Sequence, residues 1–225
     1  MYKFSPSQLN DFQYFLDHNS TVEEYITKLK KGFVTSPAMQ CGTAYHRLIE
    51  VGVEEKNCLF FDEKGKKYKL LVPEHIMKPA LDYRNEFPEC FHEVANRVVI
   101  DVFGTPVMLS TRVDEIIGDK VHEHKTTTNK KRADFYNSWQ WKIYCMVFNV
   151  REVRFNLFTW INFGYFRNFY NAKNAQEYMD QVKDVEYTHF TFYAYNGMEE
   201  DVKRFIQKFI VFIEENEIGY MFLHE

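Results

Sequence analysis

The chain lacks several features that would narrow its function at once. Its four cysteines, Cys41, Cys58, Cys90 and Cys145, include no CxxC pair. Their wide separation favours reduced, mostly buried thiols over a disulfide framework or a zinc site. No apolar run approaches the ~18 residues that a membrane helix needs, so no membrane span is expected. The opening MYKFSPSQLNDF has no basic-then-apolar layout, so no secretory leader is expected and the location inferred is cytoplasmic. Phosphate-loop Gly-Lys-[Ser/Thr] spacing is absent, which excludes a nucleotide-driven motor of that kind. The net charge of −4 argues against coating nucleic acid by bulk attraction, though not against a local basic groove. Neither an internal repeat nor a low-complexity linker is visible.

What is present suits a folded enzyme. The 225 residues are 45% hydrophobic and 18% aromatic, enough to bury a real core. Ser5-Pro6 predicts a helix to about Asp17, with Ser at the N-cap and Pro in the first turn. Ser20 and Glu23 have capping-box spacing and predict a second helix to about Lys31. Ser36-Pro37 repeats the first signal and opens a third helix that ends near Gly52. Residues 58–61 and 67–72 flank Lys64-Gly65-Lys66 as a small hairpin, and Pro73 to Phe87 is helical. Strands are expected at 97–103, 106–117 and 120–126, with Phe103-Gly104-Thr105-Pro106 as the first turn. A helix from Ala133 to Phe148 and strands at about 152–161 and 187–194 follow. The last helix, about 198–215, carries an apolar stripe of Val202, Phe205, Ile206, Phe209 and Ile213. Residues 163–186 have weak periodicity. The pattern is α/β with a mixed sheet, in one domain over 1–225. Its parts are a helical segment at about 1–55, a core at about 36–162 and a C-terminal elaboration at about 163–225.

The stretch Thr111–Lys125 holds the chemistry. Gly118-Asp119 reads as a type II′ hairpin turn that pairs Ile117 with Lys120. That register sets Asp114 opposite Glu123 on one face, and alternation adds Lys125. Facing carboxylates destabilise a hairpin, so a cation is expected between them. Oxygen ligands point to magnesium or manganese. In the third helix His46 follows Gly42, whose missing side chain permits a close approach, and Glu50 lies one turn on. A lone helical histidine is more often structural than a ligand. Gln140 and Tyr144 share a face of the helix after the hairpin, which alone would be a polar stripe.

In order along the chain, Gly42-xxx-His46, Val113-Asp114, Glu123-x-Lys125 and Gln140-xxx-Tyr144 resemble the motif series of the RecB-type branch of the PD-(D/E)XK nuclease superfamily. Ser5-Pro-Ser-Gln-Leu-Asn10 resembles the segment that precedes this domain in many relatives. The resemblance spans about residues 5–160. It implies a restriction-endonuclease-like core of α-βββ-α-β order, with extra helices at both ends. It also implies a metal-dependent deoxyribonuclease, with an exonuclease of recombination, repair or replication as the leading expectation. By that resemblance His46, Asp114, Glu123 and the His124 backbone carbonyl hold one or two Mg²⁺ or Mn²⁺ ions. Asp114, Glu123 and Lys125 are catalytic, and Gln140 and Tyr144 line the site and help hold the nucleic-acid backbone. Some relatives carry an iron–sulfur cluster on one cysteine before the core and three after it. No cysteine follows Cys145, so no cluster is expected.

Alternation points the side chains of His122 and His124 away from Glu123, while Glu50 is a candidate outer-shell ligand. Lys130, Lys131 and Arg132 lie in KTTTNKKR, which is either a solvated loop or a phosphate-binding one. Tyr165–Lys173 interleaves aromatics and cations, as a single-strand stacking surface or as a packed connection. DNA is the expected partner, with a recombination or single-strand-binding protein a candidate second. The setting inferred is a bacterial cell or phage-infected host. The alternatives are a structure-specific or defence endonuclease with the same site, and an inactive nuclease fold that only binds.

Overall fold

The structure, a computed structural model, describes residues 1–18, 20–31, 35–128, 135–162 and 172–224. In chain order the elements are β1 (Tyr2–Phe4), α1 (Pro6–Asp17), α2 (Val22–Lys31), α3 (Pro37–Val51), β2 (Cys58–Glu63), β3 (Lys66–Leu71) and α4 (Glu74–Glu86). Then come β4 (Phe91–Val102), β5 (Thr105–Ile117), β6 (Lys120–Thr127), α5 (Trp139–Phe148), β7 (Glu152–Ile161), α6 (Ala175–Met179), β8 (Asp184–Tyr193) and α7 (Met198–Glu215). A 3₁₀ turn at Gly219–Phe222 follows. No described helix is long and apolar enough to cross a membrane.

The α–βββ–α–β series is α3, β4–β6, α5 and β7, with the β2–β3 hairpin and α4 inserted after α3. One mixed sheet forms the centre: β4 pairs antiparallel with β5, β6 parallel with β7, and β7 antiparallel with β8. β4 lines one edge of β5 from Thr105 to Ile116, leaving the other edge to two partners. β1 takes it at Val107–Leu109 and β6 takes it at Glu115–Ile117. Between these pairings the edge of β5 has no strand neighbour among the described residues.

Apolar layers cover both faces. On one face Tyr45 and Leu48 of α3, Ile76 and Tyr83 of α4, and Phe158 and Trp160 of β7 share a core. On the other, Ile143 and Val147 of α5 pack with Phe4, Phe12 and the stripe Val202, Phe205, Ile206, Phe209 and Ile213 of α7. Trp141 and Tyr144 of α5 join Val113, Val121 and Phe155.

Local differences from the expected pattern have specific causes. The second capping box is formed by Thr21 and Glu24, which exchange backbone bonds, rather than by Ser20 and Glu23. β4 starts at Phe91, six residues earlier than expected, because His92 and Val94 pair with Glu115 and Val113. The first hairpin turn tightens to Phe103-Gly104, both at positive φ. Ser138 caps α5, so the helix starts at Trp139; Ala133 lies outside the described residues. β1 and α6 carry no sequence signal of their own, since β1 is a three-residue strand and α6 a single turn.

Candidate metal centre

The hairpin turn forms as expected, with Gly118 at φ 60° and the register Ile117↔Lys120, Ile116↔Val121 and Glu115↔His122. There the described pairing stops, and Asp114↔Glu123 is not a paired position. The irregularity continues one strand over. Glu93 adopts φ 51°, and the Glu93–Asp114 position is missing from an otherwise continuous β4–β5 register. A residue in the left-handed region reverses the alternation of a strand. Val94 and Val113 face α5, whereas His92 and Glu115 face α4, although residues two apart in a regular strand share a face. Asp114 is therefore aimed into the opening between β5 and β6 instead of standing on the α5 face. Its Oδ2 accepts the His124 backbone N–H at 2.6 Å, standing in for the lost strand pairing.

Both helical layers reach this opening. From α3, His46 Nδ1 lies 3.6 Å from Asp114 Oδ1. Gly42 makes that approach possible, because a Cβ there would stand 2.6 Å from Thr126 Oγ1 of β6. From α5, Gln140 Nε2 donates to Glu123 Oε1 at 2.8 Å and to the Tyr144 hydroxyl oxygen at 2.6 Å. Tyr144 OH donates in turn to the Arg112 carbonyl at 3.1 Å, on the uncovered edge of β5. Lys125 Nζ lies 2.7 Å from Glu123 Oε1. His46, Asp114, Glu123, Lys125, Gln140 and Tyr144 are thus brought together. Glu50 lines a small cavity with His46, Asp114, Glu115 and His124. Lys130, Lys131, Arg132 and most of Tyr165–Lys173 lie outside the described residues.

The electrostatics are strained in a particular way. Burial opposes charge on Asp114, yet His46, His124 and Lys125 outweigh it and hold its carboxyl well below the usual range. At Glu123, burial and the Asp114 charge prevail over Lys125 and raise the pKa. Burial disfavours a charged Lys125, but Glu123 and Asp114 raise its pKa. His46 follows the same balance, with Asp114 overcoming burial to raise it. Glu123 Oε2 is buried and has no hydrogen-bond partner. An orphaned carboxylate oxygen beside a second carboxylate, an imidazole and a strand opening fits a hard divalent cation.

Behind the opening, His122 and His124 point to the α4 face, as alternation implied. Tyr83 OH donates to Glu115 Oε2 at 2.7 Å and lies 2.8 Å from His122 Nδ1. Asn156 Nδ2 reaches Tyr83 OH, and Tyr187 OH donates to Asn156 Oδ1. The sequence carried no signal for this network, because Tyr83, Asn156 and Tyr187 are remote from the hairpin.

Fold and site together define a mixed-sheet α/β protein with a cation-ready opening between its central strands. No family model and no curated protein matches the sequence. Among solved structures, the fold is similar to that of a protein known as SSO0001, 14% identical, with a TM-score of 0.50 over 94% of this chain and 77% of that one. A phage-related exonuclease from Haemophilus somnus 129PT is 8% identical, with a TM-score of 0.44 over 90% of this chain and 77% of that one. An alkaline exonuclease from Laribacter hongkongensis, in complex with dAMP, is 13% identical, with a TM-score of 0.48 over 97% of this chain and 91% of that one. At these identities the likeness concerns the fold alone.

Proposed function

We propose that the chain is a divalent-metal-dependent DNA nuclease that hydrolyses phosphodiester bonds, working as an exonuclease in recombination, repair or replication. The observation that carries this is the partnerless Glu123 oxygen in the opening that also receives Asp114 and His46. His46, Asp114, Glu123 and the His124 carbonyl would hold one or two Mg²⁺ or Mn²⁺ ions. In an extended strand a residue's N–H and C=O point to the same side, so the His124 N–H that meets Asp114 carries its carbonyl toward the opening. The bound ion would lower the pKa of water and neutralise charge building on the scissile phosphate.

The chain's own residues do the rest. Lys125, charged and only part exposed, would orient the attacking water and donate to the developing negative charge. Gln140 fixes one oxygen of Glu123, which leaves the other free to bind. Tyr144 is buried and spends its proton on Arg112, so it supports the substrate site by holding Gln140 and the β5 edge rather than by touching DNA. Lys130, Lys131 and Arg132 would grip the phosphate backbone. A cytoplasmic setting and a recombination or single-strand-binding partner belong to the same proposal.

The test is digestion of end-labelled single- and double-stranded DNA with Mg²⁺ or Mn²⁺, with EDTA as control and circular DNA as a further arm. Metal-dependent loss of linear DNA with circles intact is the expected result. Cleavage of circles would make the enzyme an endonuclease. Metal binding by calorimetry without any cleavage would leave a fold that only binds.

A further inference from the structure

The same kink that aims Asp114 throws three further ligand-type side chains together on the α4 face. Cys90 and His92 bracket Phe91 at the start of β4, and His92 pairs directly across from Glu115 of β5. Cys90 Sγ lies 3.3 Å from His92 Nε2 and 3.9 Å from His92 Nδ1, and Nδ1 lies 3.2 Å from Glu115 Oε1. A tetrahedral zinc ion bound to thiolate, imidazole and carboxylate sets these edges at about 3.5 and 3.3 Å. The three ligand atoms all lie within 4.8 Å of one another.

Two further observations point the same way. Glu115 is already oriented from behind, since its other oxygen accepts from Tyr83 OH at 2.7 Å, as carboxylate ligands usually are. His124 Nε2 is buried and stands 3.2 Å from that same oxygen. Cys90 is the only one of the four cysteines that is not buried, so an ion can reach it.

We propose that Cys90, His92 and Glu115 form a second metal site, selective for zinc-type ions and distinct in chemistry from the oxygen-rich opening at Asp114 and Glu123. A thiolate with an imidazole suits a borderline-soft ion, whereas Mg²⁺ and Mn²⁺ prefer oxygen. The ion clips the start of β4 to β5 next to Glu93, the residue whose backbone aims Asp114. Binding displaces one proton from the Cys90 thiol to solvent and leaves the metal's charge otherwise unchanged. Three protein ligands leave the fourth position for water or for His124 Nε2.

Cobalt is the probe, because only a sulfur ligand gives a thiolate-to-cobalt charge-transfer band, and the opening holds no sulfur. Co²⁺ titration of the full chain should raise this band to saturation at one equivalent, and Zn²⁺ should abolish it. The band should persist in Glu123→Ala and vanish in Cys90→Ser. A folded chain without the band, or a band that survives Cys90→Ser, would overturn the site. If Cys90→Ser does not fold, the unsubstituted chain decides. Zn²⁺ should slow alkylation of Cys90 at least tenfold, and unchanged alkylation would equally overturn the proposal. Failure of the nuclease reading would leave both measurements untouched, since neither reads cleavage.

Discussion

Glu115 and Glu123 are buried to nearly the same degree on neighbouring strands, 2% and 5% exposed, and their surroundings treat them in opposite ways. Around Glu115 burial is overcome by His124, Tyr83 and His92, and its pKa is lowered. Around Glu123 burial and the Asp114 charge win, and its pKa is raised. One carboxylate is held ionised by the folded chain. The other is left with a free oxygen, and its pairing with Lys125 does not outweigh burial and the Asp114 charge. Burial alone does not separate a supporting acid from a binding one; the partners of each oxygen do.

Exchanging each acid for its amide breaks the comparison most directly. Glu123→Gln should reduce cleavage to background while raising the metal-free melting temperature, because a raised pKa means that ionised Glu123 costs stability at neutral pH. Glu115→Gln should lower stability by about 1–3 kcal/mol, since it removes a charge that the fold had satisfied. The pH dependence has matching signs. The Glu123 contribution is present below the ordinary carboxylate range and is lost as pH rises through its raised pKa. The Glu115 contribution is present above that range and is lost as pH falls through its lowered pKa. Melts of both variants from acid to neutral pH check this, and parallel profiles would erase the distinction.

Lys125→Ala should cut turnover by about 10²–10³ while Mn²⁺ affinity by calorimetry stays near normal, because a protonated lysine stabilises charge without ligating metal. Near-unchanged cleavage would remove Lys125 from the mechanism.

Tyr83→Phe sharpens the other side of the comparison. It strips Glu115 and His122 of a buried partner and should cost about 1–3 kcal/mol, with activity per folded molecule retained. A loss of kcat without a loss of stability would instead tie the network to the chemistry.

The smallest effect is expected at Gly42→Ala, about 1–2 kcal/mol, as the new methyl meets Thr126. Thr126→Ala in the same chain should restore most of it. Strict additivity of the two changes would mean that the contact does not set how α3 lies on β6.

Much of this architecture was legible in local chemistry. Ser5-Pro6 and Ser36-Pro37 start helices where caps demand them, Gly118 takes its left-handed turn, and α7 lies over 198–215 as its apolar stripe requires. Spacing also put Asp114, Glu123 and Lys125 on one hairpin face and Gln140 with Tyr144 on one helix face, since it reports which side chains share a face; only the family resemblance joined these two sets to each other and to His46. Spacing assumes that the face alternation never slips. Tertiary structure decided where it does: the alternation slips at Glu93, at φ 51°, and at Asp114 across from it, which turns Asp114 into a gap in the sheet and leaves His92, Glu115 and Tyr83 together behind it. A single residue held in an unfavourable backbone region is stable only because two packed layers and a neighbouring strand impose it, and no local pattern in the sequence encodes that imposition.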